Sequence, residues 1–73
     1  MRRIDDLSPT QRRVARLVAE AATNKQIMAA LNIAPRTVEK HLSAIADRWR
    51  LDRSKNLRAQ IICAYLADYR LAA

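Results

Sequence analysis

Pro35-Arg-Thr-Val-Glu-Lys-His-Leu-Ser43 is the stretch that decides how this chain is read. Continued to Trp49, it sets Val38, Leu42, Ile45 and Trp49 at steps of four, three and four, on one stripe of a 3.6-residue period. Arg36, Lys40, Ser43 and Asp47 fall on the opposite stripe, with Glu39 at its shoulder. A helix of this kind can be pinned to a core along one side. Its other side then offers hydrogen-bonding side chains from its N-terminal half. Those are the demands made of a helix that lies in the major groove of DNA.

Working outward toward the N-terminus, Thr23-Asn-Lys-Gln26 forms a capping box. It opens a short helix over 24–31 with Ile27 and Leu31 inward. Asn32 tolerates left-handed backbone and suits the end of that helix. Ile33-Ala34 then crosses to Pro35, whose fixed φ favours a first helical turn. A short helix, a turn over 32–34 and a longer helix over 35–50 make a helix-turn-helix. Further upstream, Ser8, Pro9 and Gln11 supply the N-cap, first position and capping box of a helix over 9–21. Val14, Leu17, Val18 and Ala21 are its inward stripe, and Arg12 and Arg16 point away. Residues 1–6 read as a short leader and 7–70 as the domain.

Toward the C-terminus, Leu51-Asp-Arg53 is a brief connector, and Ser54 or Asn56 begins a last helix over 54–69. Its apolar side joins Leu57, Ile61 and Tyr65 to Ile62, Leu66 and Tyr69, with Ala59 and Cys63 beside them. Covering a three-helix core takes about 100° of apolar surface, and this side exceeds that. The surplus is expected to meet a second copy of the chain, with Ile62, Cys63, Leu66 and Tyr69 at the dimer interface.

Composition agrees with this plan. The 73 residues make one domain, which hides only about 60% of its unfolded surface and so needs tight packing or a partner. The single Cys63 makes no internal disulfide and reads as a helix packing residue, and no Cys/His cluster suggests a metal. There is no Gly and no Phe, and no alternating strand pattern appears, so the class is all-α. The apolar runs fall far short of the ~20 residues of a membrane span, and no signal-peptide core follows Met1. Lys and Arg number 14 against 7 Asp and Glu, a net charge of +7 spread along the chain, which favours polyanionic partners. No carboxylate pair, Gly-rich phosphate loop or Ser/His/Asp set stands out, and His41 reads as a packed helix residue. No catalytic residue, cofactor, membrane or small-molecule ligand is therefore expected.

Leu7 to Glu20, Thr23-Asn-Lys-Gln-Ile27 and Leu31-Asn-Ile-Ala-Pro-Arg-Thr-Val-Glu-Lys-His-Leu42 together resemble the LuxR/GerE-type helix-turn-helix domain. The likeness runs from residue 7 to about 66, and the Asn-Lys-x-Ile and Pro-Arg-Thr-Val-x-x-His-Leu segments carry it jointly. It implies an all-α fold of four helices: a winged-helix-like three-helix core plus a C-terminal dimerisation helix. It also implies a cytoplasmic, nucleoid-associated bacterial transcription regulator that binds double-stranded DNA as a homodimer, with RNA polymerase as a further partner. The length is similar to stand-alone GerE-like members, and an excised domain or a phage product are the alternatives.

In such proteins the positions of Glu39, Lys40 and Ser43 read base edges. Lysine donates to guanine, and glutamate accepts from cytosine N4. Arg36 and Thr37, and on the shorter helix Thr23, Asn24 and Lys25, sit where helix N-termini meet phosphate. The family usually carries Gly at the positions of Ala21, Asn32 and Arg50. A left-handed Ala21 or Arg50 costs roughly 1–2 kcal/mol, so those turns are expected to differ in shape. Ala34 stands where Ser or Thr is usual, a missing N-cap of about 1 kcal/mol. Trp49 replaces a usual Leu and is expected to fill core. The competing reading is a protein-interaction module that binds RNA polymerase or a larger regulator through its helical surface.

Overall fold

Where each helix begins is set by local hydrogen bonds. In a computed structural model that describes residues 4–72, with side chains through Asp68, a 3-10 turn at Ile4–Asp6 precedes α1 (Pro9–Ala19), α2 (Asn24–Leu31), α3 (Pro35–Trp49) and α4 (Leu57–Ala72). No strand occurs among the described residues. Ser8 Oγ accepts from the Gln11 N–H at 3.2 Å while Gln11 Oε1 accepts from the Ser8 N–H at 3.0 Å. Thr23 and Gln26 repeat the exchange at 3.2 and 2.8 Å. Each box satisfies donors that a helix N-terminus otherwise leaves without an intrahelical partner. At α3 the N-cap is Ala34, and no side chain caps it.

The start of α4 differs from the earlier of the two expected positions. Asp52 Oδ1 accepts from the Ser54 N–H at 2.9 Å and from its hydroxyl at 2.6 Å. This Asx turn competes with helix and holds Ser54 outside it. Asn56 caps instead, its Oδ1 accepting from the Ala59 N–H at 3.2 Å. The Ser54 hydroxyl bond first, and its amide bond second, hold the Asp52 carboxyl below its ordinary value of 3.8.

The ends of the first three helices follow one rule. Past Ala19, the Ala21 N–H donates to the Val18 carbonyl at 3.0 Å and the Ala22 N–H to that of Leu17 at 2.9 Å. The same pair of bonds closes α3, from Arg50 to Asp47 at 3.3 Å and from Leu51 to Ala46 at 2.9 Å. α2 ends with Ile33 donating to Met28 at 3.1 Å. These are Schellman turns. Each requires a left-handed residue, and Ala21, Asn32 and Arg50 take it at φ 64°, 53° and 53°. The corners therefore keep the shape that glycine would give, against the expectation that they differ. Ala21 is accordingly exposed at a corner, not inward, and α1 stops at Ala19.

Burial explains why the chain accepts the cost. The residue after each left-handed one is apolar and belongs to the core or packs on it: Ala22, Ile33 and Leu51. α1 supplies Val14, Ala15 and Val18, α2 supplies Ile27, α4 supplies Ile61 and Ala64, and Leu7 adds to them. α3 supplies Val38, Ile45, Ala46 and Trp49. Fully burying a Val or Ile side chain contributes about 1.5–3 kcal/mol. α1 packs on both α3 and α4, and α2 packs on α3. The leader is tied in as well. The Ile4 N–H donates to Asp68 Oδ2 at 2.8 Å, and Arg48 Nε donates to the Asp6 carbonyl at 2.8 Å.

Replacing Ala21 or Arg50 by glycine is expected to stabilise the domain by about 1 kcal/mol each, because the left-handed penalty disappears while the turn stays. Asn32→Gly is expected to gain less. Urea unfolding followed by circular dichroism measures this. Destabilisation by both Ala21→Gly and Arg50→Gly would show that the corners carry no strain.

Candidate nucleic-acid interface

Because Val38, Ile45, Ala46 and Trp49 are buried, the opposite stripe of α3 has to face outward. Arg36, Glu39, Lys40 and Asp47 are exposed there, while Thr37 and Ser43 are half-buried. Glu39 and Lys40 take part in no salt bridge among the described residues. Ser43 is different. Arg53, in the connector before α4, reaches back over it, and Arg53 Nη2 donates to Ser43 Oγ at 2.9 Å and to the Ser43 carbonyl at 3.0 Å. The same nitrogen meets Asp47 Oδ1 at 2.6 Å. Asp47 is therefore paired with Arg53. Ser43 is half-buried, with a guanidinium on its oxygen.

The N-terminus of α2 presents Thr23, Asn24 and Lys25, all exposed. Thr23 Oγ1 is occupied as the cap. Asn24 Oδ1 accepts from Arg58 Nη1 at 2.6 Å, and Arg58 Nη2 donates to the Ala22 carbonyl. One planar fork in the first turn of α4 thus grips the corner that orients α2. Sequence reading assigned no role to Arg53 or Arg58. The local signal was only a positive charge; the partners of Arg58 lie 34 and 36 residues away.

The α4 surface holds the expected contact residues in unequal states. Leu66 is 43% exposed, the one large hydrophobic in that state among the described residues. With Tyr65 it lines a shallow cavity against Arg16, Ala19 and Glu20 of α1 and its cap. Ile62 packs partly on the core. Cys63 is exposed rather than packed inside the fold. The side chain of Tyr69 lies outside the described residues. Among those residues no His/Cys/Asp/Glu group is arranged to hold a metal, and no helix is long and apolar enough to cross a membrane.

Comparison with known proteins agrees with this geometry. The family model described as bacterial regulatory proteins, luxR family, matches residues 5–57. The chain is similar to proteins named "Putative HTH-type transcriptional regulator" from Mycobacterium bovis and from the CDC 1551 and H37Rv strains of Mycobacterium tuberculosis, each 49% identical over 39 residues. That stretch is 53% of this chain but 4% of each relative, so the chain aligns with a small part of much longer proteins. No solved structure matches the chain.

Arg58→Ala is expected to destabilise the domain by about 1–2 kcal/mol, the scale of losing a hydrogen bond to a charged group at a partly exposed site. Arg58→Lys should recover only part, since an ammonium cannot span both acceptors. Chemical denaturation reads both. An Arg58→Ala midpoint equal to that of the parent would remove the grip on the α1–α2 corner.

Proposed function

Because the chain belongs to the LuxR family of bacterial regulatory proteins, we propose that it is a sequence-specific, double-stranded-DNA-binding transcription regulator, acting as a homodimer with α3 in the major groove. The observation that carries this reading is the division of α3. Its inner stripe is locked in the core, and Arg36, Glu39 and Lys40 stand exposed on the other side. A helix is about 10–12 Å across with its side chains, and the major groove is about 12 Å wide.

In this reading Lys40 donates to guanine O6 and N7, and Glu39 accepts from cytosine N4. Ser43, whose oxygen already accepts from Arg53, keeps its hydroxyl proton for a base acceptor. Arg36 and Thr37 at the start of α3, with Thr23, Asn24 and Lys25 at the start of α2, take backbone phosphates. The missing side-chain cap at Ala34 leaves the positive end of the α3 dipole available to an anion. Two copies joined through Leu66, Ile62, Cys63 and Tyr69 would set their α3 helices about 34 Å apart, one turn of duplex, on an inverted repeat. The mechanism is occupancy of a site in the bacterial cytoplasm, which recruits or blocks RNA polymerase, with no enzymatic step. The exposed Leu66 beside Tyr65 supports a second reading, in which this face binds polymerase or a larger regulator.

Lys40→Ala is expected to cost about 1–3 kcal/mol on a selected site and to relax its specificity, whereas Lys25→Ala weakens binding to all duplexes and lowers the salt slope by about 1. Fluorescence anisotropy across a salt series distinguishes the two. Equal losses on selected and random DNA for Lys40→Ala would remove base reading. Leu66→Glu is expected to give monomers in sedimentation, and an unchanged sedimentation coefficient would take α4 out of the interface.

A further inference from the structure

The connector between α3 and α4 sends Arg53 back along α3 instead of onto its end. A cation that served only the helix dipole would lie within the last turn. Ser43 is six residues before Trp49, about 9 Å up the axis at 1.5 Å per residue. One turn separates it from Lys40. The guanidinium of Arg53 therefore lies on the outer stripe of α3, among the side chains that the DNA reading assigns to the groove.

Only one corner of that guanidinium is used. Nη2 makes all of its bonds, to the Ser43 carbonyl at 3.0 Å, to Ser43 Oγ at 2.9 Å and to Asp47 Oδ1 at 2.6 Å. Nε and Nη1 have no partner among the described residues, and the side chain keeps 50% of its surface exposed. Nε–H and Nη1–H share no edge of the guanidinium, because Cδ lies between them, so each is a separate charge-assisted donor that suits a phosphate oxygen. Asp47, 73% exposed on the same face, would by itself repel a phosphate, and Arg53 offsets that charge. Arg50 and Lys55 add positive charge to the connector, with Asp52 the one acidic residue in it.

We infer that Arg53 is a DNA-backbone contact, and that Asp47 is the positioning residue that aims it. With α3 in the major groove, an open N–H of this guanidinium donates to a phosphate flanking the C-terminal half of the helix. A phosphate is favoured over a base because recognition helices meet base edges through their N-terminal residues. This inference rests on the DNA-binding reading above.

The test is anisotropy on a selected and a random duplex across a salt series, for the parent, Arg53→Gln, Asp47→Asn and the double variant. Arg53→Gln keeps a donor for Ser43 and removes the charge, so thermal melting should stay at the parent midpoint. The expected result is a salt slope lower by about 0.9 and a roughly fivefold affinity loss at 0.15 M salt, equal on both duplexes. Asp47→Asn alone should reproduce part of that loss, and adding Arg53→Gln to it should cost less than it costs the parent. An unchanged slope for Arg53→Gln, with Lys25→Ala and Lys40→Ala still impaired, overturns the inference and leaves the DNA reading intact. A loss confined to the selected duplex overturns the phosphate assignment in favour of a base. Tighter binding by Asp47→Asn, with no further loss on adding Arg53→Gln, reduces Arg53 to a neutraliser of Asp47. If the parent binds no duplex, the DNA reading falls and this inference with it.

Discussion

Val38, Ile45 and Trp49, fixed in the core, set the rotation of α3 about its own axis. Every exposed side chain on that helix inherits its direction from them. Turning α3 by one residue position, about 100°, would pull these anchors toward water. Each withdrawal costs about 1.5–3 kcal/mol, against a total stability of about 5–15 kcal/mol for a domain. In a chain of 73 residues rotation of α3 and unfolding are therefore nearly the same event. The outer stripe can be rigid without contacts of its own, because its geometry is decided on the far side of the helix.

The corners between helices have to be equally definite, and here the chain has no glycine to make them. Ala21, Asn32 and Arg50 all accept left-handed backbone, at roughly 1–2 kcal/mol for a residue with a Cβ. Two gains offset this. The turns satisfy carbonyls that a helix end otherwise leaves open. They also direct Ala22, Ile33 and Leu51 onto the core. A corner of another shape would lose the buried residue as well as the hydrogen bonds, so side-chain identity yields to topology. The α1–α2 corner then receives a second constraint from Arg58, which holds the Ala22 carbonyl and Asn24 together. In this way the first turn of α4 takes part in orienting α2, the helix packed against α3.

What the sequence disclosed and what it hid divide along the range of the interactions. Ser8 with Gln11, and Thr23 with Gln26, are local pairs, and both boxes form as the spacing predicts. The buried stripe of α3 follows from period alone. Ala21 was assigned to the inward stripe because the 3.6-residue pattern runs through it, yet the helix stops two residues earlier to place Ala22. Ser54 and Asn56 were both eligible to start α4, and the carboxylate of Asp52 decides between them by taking Ser54 for a turn. Local pattern carries no sign of the roles of Arg53 and Arg58, because their acceptors belong to other elements. Period placed Ser43 on the outer stripe, but the residue is half-buried there, and period carries no information about a side chain folding over it from 10 residues downstream.

The two carboxylates on the outer side of α3 face opposite circumstances, and the contrast bears on how such a surface discriminates. Asp47 has a cation at 2.6 Å. Its charge is largely spent within the domain, on the guanidinium of Arg53. Glu39 has no ion pair among the described residues. A lone carboxylate brought toward phosphates meets a repulsion of about 1 kcal/mol per unit charge at 4 Å in water, rising to about 4 where the effective dielectric is near 20. Among the major-groove base edges only the amino groups of cytosine and adenine give that carboxylate a donor in return. A paired residue in its place would bind all sequences more tightly and distinguish them less. On the proposed DNA reading, leaving Glu39 without a cation would let repulsion act on every wrong site, so that an interface with an excess of positive charge could still reject most of the DNA it meets.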